Sequence, residues 1–264
     1  MYHKKCYFLS GLPRSGNTVI SSILNQNKDI GVSGNSLISQ TLYNLEEWKK
    51  NDLGIINFPD HKSYDSMMES IISSYYSKWK QKYIIDRSAW GTPDNLNLLK
   101  RYCPNEIKII CLIRNNLDIF KSFVDWSNRN PNNFIDKNNK TVQEIFDFLY
   151  NPYGQIVQSI LSVNHLNHID PSNEIHLIIN YNDFVNNPQS EINRIYNFLK
   201  IPPYIHKLVD LSEFKVNGIK YDDTIHGKNL HKIRIKNISR RKYEIEVSDQ
   251  IKNQCSEFDK LINL

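Results

Sequence analysis

The chain has 264 residues, of which 40% are hydrophobic, 23% charged and 11% aromatic, as in an ordinary globular protein. This composition excludes a disordered tail, a collagen-like chain and a coiled coil. No apolar run reaches the roughly 18 residues that a membrane span requires, so we expect a soluble, cytoplasmic protein. The net charge of +5 depends on one segment, because residues 228–242 hold seven Lys or Arg and no acidic residue. A local excess of this kind predicts a local anionic ligand.

Apolar runs of strand length alternate along the chain with amphipathic segments of helix length. The runs cover residues 5–10, 82–87, 106–114 and 174–180 and are rich in β-branched side chains. Such runs are typical of strands that are buried on both faces of a parallel sheet. The segments between them carry helix start signals, which are Asn17 after a glycine loop, Thr92-Pro93, the capping box Thr141 to Glu144, and Asn187-Pro188.

This alternation predicts an α/β fold, a three-layer sandwich with a central, mostly parallel sheet of the P-loop nucleotide-binding kind. The chain has no internal repeat and no linker rich in Gly, Ser or Pro. We therefore expect one domain over residues 1–264, with residues 205–264 as a C-terminal appendage that wraps back on it.

The loop Gly11-Leu-Pro-Arg-Ser-Gly-Asn-Thr18 joins the first predicted strand to a helix. In this context backbone N–H groups and a helix N-terminus can cradle a phosphate, although a tight turn with incidental glycines would have the same sequence. The loop fits the pattern of nucleoside triphosphatases except that Asn17 stands where their lysine belongs. That lysine neutralises the β- and γ-phosphates, so its loss indicates a ligand with fewer phosphates.

A second candidate anion site follows the predicted strand 106–114. Arg114 stands at the carboxyl end of this strand, where open α/β sheets bind ligands. Its planar guanidinium can grip a phosphate, and Ser122 on the next helix can complete the cradle. Taken alone, Arg114 could equally be a salt-bridged surface residue.

Together these segments resemble the sulfotransferases that use 3′-phosphoadenosine 5′-phosphosulfate (PAPS). Residues 13–18, PRSGNT, are similar to the family's 5′-phosphosulfate loop, Pro-Lys/Arg-Ser-Gly-Thr-Thr, with Asn17 in place of the first Thr. Arg114 and Ser122 keep the eight-residue spacing of the family's 3′-phosphate ligands, although Asn116 replaces a usual proline. Segments 178–202 and 84–90 resemble two further family segments, the first of which would bring Tyr181 near the cofactor.

The resemblance implies transfer of a sulfuryl group from PAPS to a hydroxyl or amine by in-line displacement, leaving adenosine 3′,5′-bisphosphate and requiring no metal. A C-terminal basic loop closes over the cofactor in the family, and residues 227–234 could do the same here. This loop could also be a solvated charge run or a strip that binds an anionic acceptor. The cofactor-binding residues that we expect are Pro13, Arg14, Ser15, Gly16, Asn17, Thr18, Arg114, Ser122, Tyr181, Lys228, His231 and Arg234.

Sulfuryl transfer needs cations near the bridging oxygen and a base for the acceptor. We expect Arg14 and Arg87 to supply the charge. The base is harder to assign, because Ala89 stands where one branch of the family has a histidine, and residues 31–36 offer no carboxylate. His61 and Asp86 are candidates, although His61 could be a solvated loop residue and Asp86 an ion-pair partner of Arg87 or a helix cap.

Two other functions remain open at the level of sequence. A magnesium-dependent P-loop kinase could use Asp86 after the apolar run 82–85, although the missing loop lysine counts against it. A polyanion- or RNA-binding module could depend on residues 228–242 alone, but no nucleic-acid motif is present, so we expect no nucleic-acid partner. The expected acceptor is a small molecule or a glycan. The aromatic-rich segment 64–79 could line its site, although its helical spacing favours core packing.

Overall fold

The computed structural model describes residues 4–103, 105–135, 141–233, 236 and 238–264. Within these residues, five strands form one sheet in the order β2-β3-β1-β4-β5, and every pair is parallel. The α/β fold class predicted from the sequence is thereby confirmed. The strands are β1 (Lys5–Gly11), β2 (Ile30–Asn35), β3 (Tyr83–Arg87), β4 (Ile109–Ile113) and β5 (His176–Asn180).

Helices connect the strands and cover both faces of the sheet. Two of the predicted start signals operate as expected: the Thr92 hydroxyl accepts a hydrogen bond from the N–H of Asn95, and Thr141 and Glu144 form a reciprocal capping box. The helices of the described residues are α1 (Asn17–Leu24), α2 (Ile38–Asn51), α3 (Leu53–Asn57), α4 (His61–Tyr75), α5 (Pro93–Tyr102), α6 (Asn116–Arg129), α7 (Val142–Leu149), α8 (Gln155–Ile169), α9 (Tyr181–Asn186), α10 (Pro188–Leu199) and α11 (Asp249–Leu261), with a 3₁₀ turn at Asp223–His226.

The central strand β1 shows why the chain folds into three layers. Successive side chains of a strand point to opposite faces, and those of β1 are apolar on both. Tyr7 and Leu9 pack in a core with side chains of α1 and α10, whereas Cys6 and Phe8 pack in another core with side chains of α4 and α5. Full burial of a side chain such as Leu9 or Phe8 contributes about 2 kcal/mol, so β1 must be covered by helices on both sides.

Strand β2 was not predicted from the sequence. Its residues, Ile30 to Asn35, include two glycines and a serine, which interrupt the apolar run that the other strands show. The strand forms because it pairs along β3, with Ile30 opposite Tyr83. Gly31 is needed there, since a Cβ at this position would lie 2.9 Å from the ring of Trp79. Pairing and close packing therefore determine β2 more than local propensity does.

Residues 205–264 contain little regular structure before α11, yet they are attached to helix α6 by charged and polar contacts. Arg240 and Arg241 donate hydrogen bonds of 2.8 Å to Asp118 and Asp125 of α6. Asp259 of α11 accepts one of 2.8 Å from the N–H of Asn116 at the start of α6. These contacts hold Arg240, Arg241 and α11 against α6.

Candidate active site

A cavity of about 1150 Å³ opens at the carboxyl ends of β1, β3 and β4. Ligands of open α/β sheets bind at this edge. Neutral polar side chains and several cations line the cavity, and no Asp or Glu is among its described lining residues. Such a lining favours an anionic ligand. The cations are Arg14, Arg87, Arg114, Arg129, Lys232 and Arg241.

The loop between β1 and α1 forms the floor of the cavity. Gly11 has a φ of +111°, and a Cβ there would lie 2.3 Å from the carbonyl oxygen of Leu112, so only glycine fits. Gly16, with a φ of +94°, precedes α1, and no side chain of the described residues caps this helix. The first N–H groups of α1 therefore remain available to an anion.

The loop's polar side chains are divided between bracing the loop and lining the cavity. Ser15 is fully buried, and its hydroxyl donates to the carbonyl oxygen of Leu12. Asn17 donates from Nδ2 to the same oxygen at 2.8 Å. These two side chains hold the loop in shape, and Asn17 and Thr18 also line the cavity. Ser15 itself is absent from the described lining of the cavity, so any contact of this residue with a ligand must come from its backbone.

Arg14 reaches across the cavity from the loop. It adopts a φ of +58°, a left-handed conformation that costs a non-glycine residue about 1–2 kcal/mol. Its Nε donates to the hydroxyl of Ser122 at 3.1 Å, and its Nη1 donates to the carbonyl oxygen of Leu230 at 2.6 Å. Burial lowers the pKa of Arg14, but a guanidinium remains charged at neutral pH. The side chain thus joins the loop, helix α6 and the C-terminal segment.

Arg114 follows β4, lies next to the loop between β1 and α1, and is only 3% exposed. Its Nη1 donates to the carbonyl oxygen of Arg14 at 2.9 Å, and its guanidinium lies 4.2 Å from the centre of the Tyr181 ring. Oδ2 of Asp118 lies 3.7 Å from Nη2 of Arg114. The Nε and Nη2 atoms are buried without a hydrogen-bond partner among the described residues. Leaving buried charged donors unbonded is costly, which indicates that a ligand completes them.

Arg87 is the last residue of β3 and faces the first turn of α1. Its Nη1 donates to the hydroxyls of Thr18 at 3.3 Å and Tyr221 at 2.8 Å. Burial lowers the pKa of Arg87. Arg87 therefore contributes a third guanidinium to the same cavity, beside the N-terminus of α1.

The structure does not bring either predicted base to the cavity. His61 is exposed at the start of α4 and is absent from the described lining of the cavity. Asp86 is fully buried and accepts hydrogen bonds from Ser36 at 2.9 Å, from Trp90 at 2.6 Å and from Tyr76. Burial raises the pKa of Asp86. Its side chain holds β3 to its neighbours in the core, so it is neither an ion-pair partner of Arg87 nor accessible to an acceptor.

The predicted C-terminal loop lies partly at the cavity. Lys228 is exposed and outside the described lining, and its carbonyl oxygen accepts a hydrogen bond of 2.8 Å from Trp126. His231 lines the cavity, as do its neighbours on both sides. Arg234 lies outside the described residues.

Two partners of the C-terminal loop are not predictable from the sequence. Asp223 Oδ1 lies 2.6 Å from Nδ1 of His231, and the ring of Tyr221 stacks on the imidazole with centres 3.8 Å apart. Neither residue belongs to a motif. Both are positioned by the irregular segment between α10 and α11, which carries no periodic signal.

Neither a metal-binding cluster nor a membrane-spanning helix occurs within the described residues. No group of three or more His, Cys, Asp or Glu side chains in this part of the chain is arranged to hold a metal ion. None of the helices described above is both long enough and apolar enough to cross a membrane.

Several solved structures with similar folds are sulfotransferases or sulfotransferase domains. The sulfotransferase domain of the Synechococcus PCC 7002 olefin synthase is 15% identical, with a TM-score of 0.52, over 97% of this chain and 96% of that one. The sulfotransferase domain from the curacin biosynthetic pathway is 15% identical, with a TM-score of 0.52, over 98% and 99%. A sulfotransferase from Alicyclobacillus acidocaldarius is 12% identical, with a TM-score of 0.55, over 99% and 96%. At these identities the likeness shows the fold alone.

The sequence comparisons address the family. No curated protein matches the chain. The model of the sulfotransferase family matches residues 7–205, which include the loop between β1 and α1, Arg87, and the Arg114–Ser122 pair. This match covers more than half of the chain, and the protein therefore belongs to the sulfotransferase family.

Proposed function

We propose that the protein transfers a sulfuryl group from PAPS to a hydroxyl or amine of a small-molecule or glycan acceptor. The observation that carries the proposal is the placement of Arg14 and Arg114 in one cavity, with two buried guanidinium nitrogens of Arg114 that have no hydrogen-bond partner among the described residues. A nucleotide with phosphates at both ends of its ribose needs a cation at each end, and the cavity offers both.

The 5′ end of the donor would lie over the loop between β1 and α1. The free N–H groups at the start of α1 and the hydroxyl of Thr18 suit the 5′-phosphate. Pro13 and Gly16 line the cavity beside them. A side chain larger than hydrogen at Gly16 would lie 3.3 Å from the Tyr181 ring, so glycine keeps this floor open.

The 3′ end would lie at Arg114. Its unbonded Nε and Nη2 can form a bidentate pair with phosphate oxygens, and the hydroxyl of Ser122, which accepts a hydrogen bond from Arg14, can donate to the same phosphate. The Tyr181 ring beneath the guanidinium fixes its plane through a cation–π contact. This pocket needs little rearrangement to accept a phosphate.

PAPS supplies an activated sulfuryl group, and the protein's part is to position it and to stabilise developing charge. Negative charge grows on the bridging oxygen as the sulfur departs. Arg87 lies beside the start of α1, and Arg14, whose guanidinium reaches across the same cavity, can be redirected at that oxygen. Because these two guanidiniums supply the positive charge, we expect transfer without a metal.

The acceptor would enter the remaining part of the cavity. Gln155, Gln158 and Ser159 of α8 contribute neutral hydrogen-bonding groups to its lining. Such groups suit an acceptor that carries hydroxyls and no strong charge, which is why we favour a small alcohol or a glycan.

Calorimetric titration separates this function from its rivals. We expect adenosine 3′,5′-bisphosphate to bind in the presence of a metal chelator. Binding of ATP only with Mg²⁺, and none of the bisphosphate, would instead indicate a kinase. Labelled PAPS, offered with a panel of alcohols, phenols and sugars, then identifies the acceptor class through the labelled product.

A further inference from the structure

The proposed transfer still lacks a group that removes the acceptor's proton. Ala89 stands at the place of one family histidine, His61 is outside the cavity, and Asp86 is sealed in the core. A base must therefore be another titratable side chain that lines the cavity. Among the described ones, His231 combines a place next to two arginines with a carboxylate partner.

His231 is held rigidly by three contacts. Its backbone N–H donates to Oδ2 of Asp223 at 2.8 Å, and its Nδ1 lies 2.6 Å from Oδ1 of the same residue. The imidazole stacks on Tyr221 with ring planes 7° apart. The hydroxyl of Tyr221 in turn accepts a hydrogen bond from Arg87. Tyr221 thereby links the imidazole to the guanidinium of Arg87, which also donates a hydrogen bond to Thr18.

The ring's second nitrogen is left for a ligand. Asp223 as a carboxylate only accepts hydrogen bonds, so Nδ1 carries the proton and Nε2 carries the lone pair. Nε2 has no hydrogen-bond partner among the described residues, and the residue lines the cavity. This is the arrangement in which a carboxylate fixes the tautomer of a general base.

From this geometry we propose that His231 is the general base of the transfer and that Asp223 is its positioning residue. The proposal rests on the proposed function. The acceptor oxygen bonds to sulfur while the bond from sulfur to the bridging oxygen breaks, and the electron pair of that bond leaves with adenosine 3′,5′-bisphosphate. The acceptor's proton passes to Nε2, and Asp223 stabilises the imidazolium that results.

The surroundings of His231 keep it unprotonated near neutral pH. Burial lowers its pKa from the ordinary value of 6.5, Asp223 opposes this effect, and the charges of Arg87 and Arg14 lower it further. Tyr221, the other titratable group against the ring, is held neutral because burial raises its pKa. The base form is therefore the main form at neutral pH, and the transfer rate should fall only at a pH below 6.5, where the imidazole gains its proton.

A role in binding the donor is the rival explanation, since the family likeness also places this loop over the cofactor. The two roles predict different losses. If His231 binds the sulfuryl donor, its replacement weakens binding of adenosine 3′,5′-bisphosphate. That ligand contains no acceptor and gives no proton to a base. A base, once removed, lowers the rate of transfer and leaves that affinity nearly unchanged.

The experiment compares His231→Gln, Asp223→Asn and the double variant with the unaltered protein. Calorimetry first measures binding of adenosine 3′,5′-bisphosphate, and failure of the unaltered protein to bind would overturn the proposed function and this inference together. Transfer from labelled PAPS is then followed with a panel of alcohols and phenols, and to water in single-turnover reactions. We expect His231→Gln to lower the rate at least about 100-fold, with Asp223→Asn less severe and the double variant no worse than His231→Gln.

His168→Gln is the matched control, because His168 is exposed on α8 and outside the described lining of the cavity. It should leave both affinity and rate unchanged. The acidic limb of the rate–pH profile should disappear in His231→Gln. A rate within about threefold of the unaltered protein, or an equal loss of affinity and rate, would overturn the inference while leaving the proposed function standing.

Nuclear magnetic resonance gives a readout that does not depend on turnover. The ¹⁵N signals of the His231 ring should show the tautomer protonated at Nδ1 and a pKa below 6.5. A neutral ring protonated at Nε2 would overturn the inference, because that nitrogen could not then accept a proton.

Discussion

Arg14 and Arg114, which both line the cavity, are bonded in different ways. Arg14 already donates hydrogen bonds from Nε to the hydroxyl of Ser122 and from Nη1 to the carbonyl oxygen of Leu230. Arg114 makes one hydrogen bond to the protein, to the carbonyl oxygen of Arg14, and holds its other nitrogens without hydrogen-bond partners in the described residues. Arg114 is thus preset for an anion, whereas Arg14 must exchange partners when a ligand arrives.

This difference assigns different work to the two residues. A preset cation gives its full contribution to binding in the ground state and therefore acts as an anchor. A cation that is held by other partners can be recruited as charge develops, which lowers the barrier more than it improves binding. Substitutions at these two residues and at their neighbours separate the two roles.

Replacement of Arg14 should have the largest effect, and the effect should fall on the rate. We expect Arg14→Ala to lower turnover with PAPS by about 10²–10³-fold, the range for a lost charge-stabilising donor. Binding of adenosine 3′,5′-bisphosphate, measured by calorimetry, should weaken far less. Equal losses in both measurements would make Arg14 a simple anchor and remove the contrast with Arg114.

Replacement of Arg114 should reverse this pattern. We expect Arg114→Ala to weaken binding of adenosine 3′,5′-bisphosphate by about 1.5–3 kcal/mol, because a charge-assisted contact with the 3′-phosphate is lost. Arg101→Ala is the control, since Arg101 pairs with Glu46 away from the cavity and should leave the affinity unchanged. Unaltered affinity in Arg114→Ala would refute the assignment of the 3′-phosphate to this residue.

The ring beneath Arg114 should contribute less. Tyr181→Leu removes the cation–π contact at 4.2 Å while keeping an apolar side chain against the guanidinium. We expect the affinity for the bisphosphate to fall by about 0.5–2 kcal/mol. If the fall matched that of Arg114→Ala, the ring rather than the guanidinium would be the anchor.

The smallest effect should come from Asn17, the residue at which the loop departs from the family pattern. Its Nδ2 braces the loop through the carbonyl oxygen of Leu12, and a hydroxyl at this position can act as a donor too. We expect Asn17→Thr to change the affinity for the bisphosphate by less than about 1 kcal/mol, the worth of one neutral hydrogen bond. A larger loss, with an unchanged melting temperature, would show that the Asn17 side chain itself contacts the ligand.

The parts of the site that could be predicted are those encoded by neighbouring residues. The loop between β1 and α1 follows from its glycines, its strand and its helix, all within about twenty residues, and Arg114 and Ser122 follow from one strand and the helix after it. Pairings between distant segments could not be predicted in the same way. Asp86 looked accessible at a strand end, yet Ser36, Tyr76 and Trp90 approach it from three other segments and bury it.

The contacts of the C-terminal segment could not be predicted from the sequence either. Its charge indicated an anionic ligand, but the sequence did not show that Arg240 and Arg241 pair with α6 and so hold the segment against the cavity. The Asp223–His231 pair arises from an irregular stretch in which no periodic pattern relates one residue to the other. Long-range contacts of irregular chain therefore decide which of the titratable side chains reaches the reaction.

The central claim is that one nucleotide spans the cavity, with its 3′-phosphate at Arg114. It is tested most directly by calorimetry of two ligands, adenosine 3′,5′-bisphosphate and adenosine 5′-monophosphate, with two proteins, the unaltered chain and Arg114→Ala. We predict that the unaltered chain binds the bisphosphate at least about tenfold more tightly than the monophosphate and that Arg114→Ala abolishes this preference. Removing the 3′-phosphate from the ligand and removing the guanidinium from the protein abolish the same contact. A preference that survives in Arg114→Ala, or that is absent from the unaltered chain, would contradict the account.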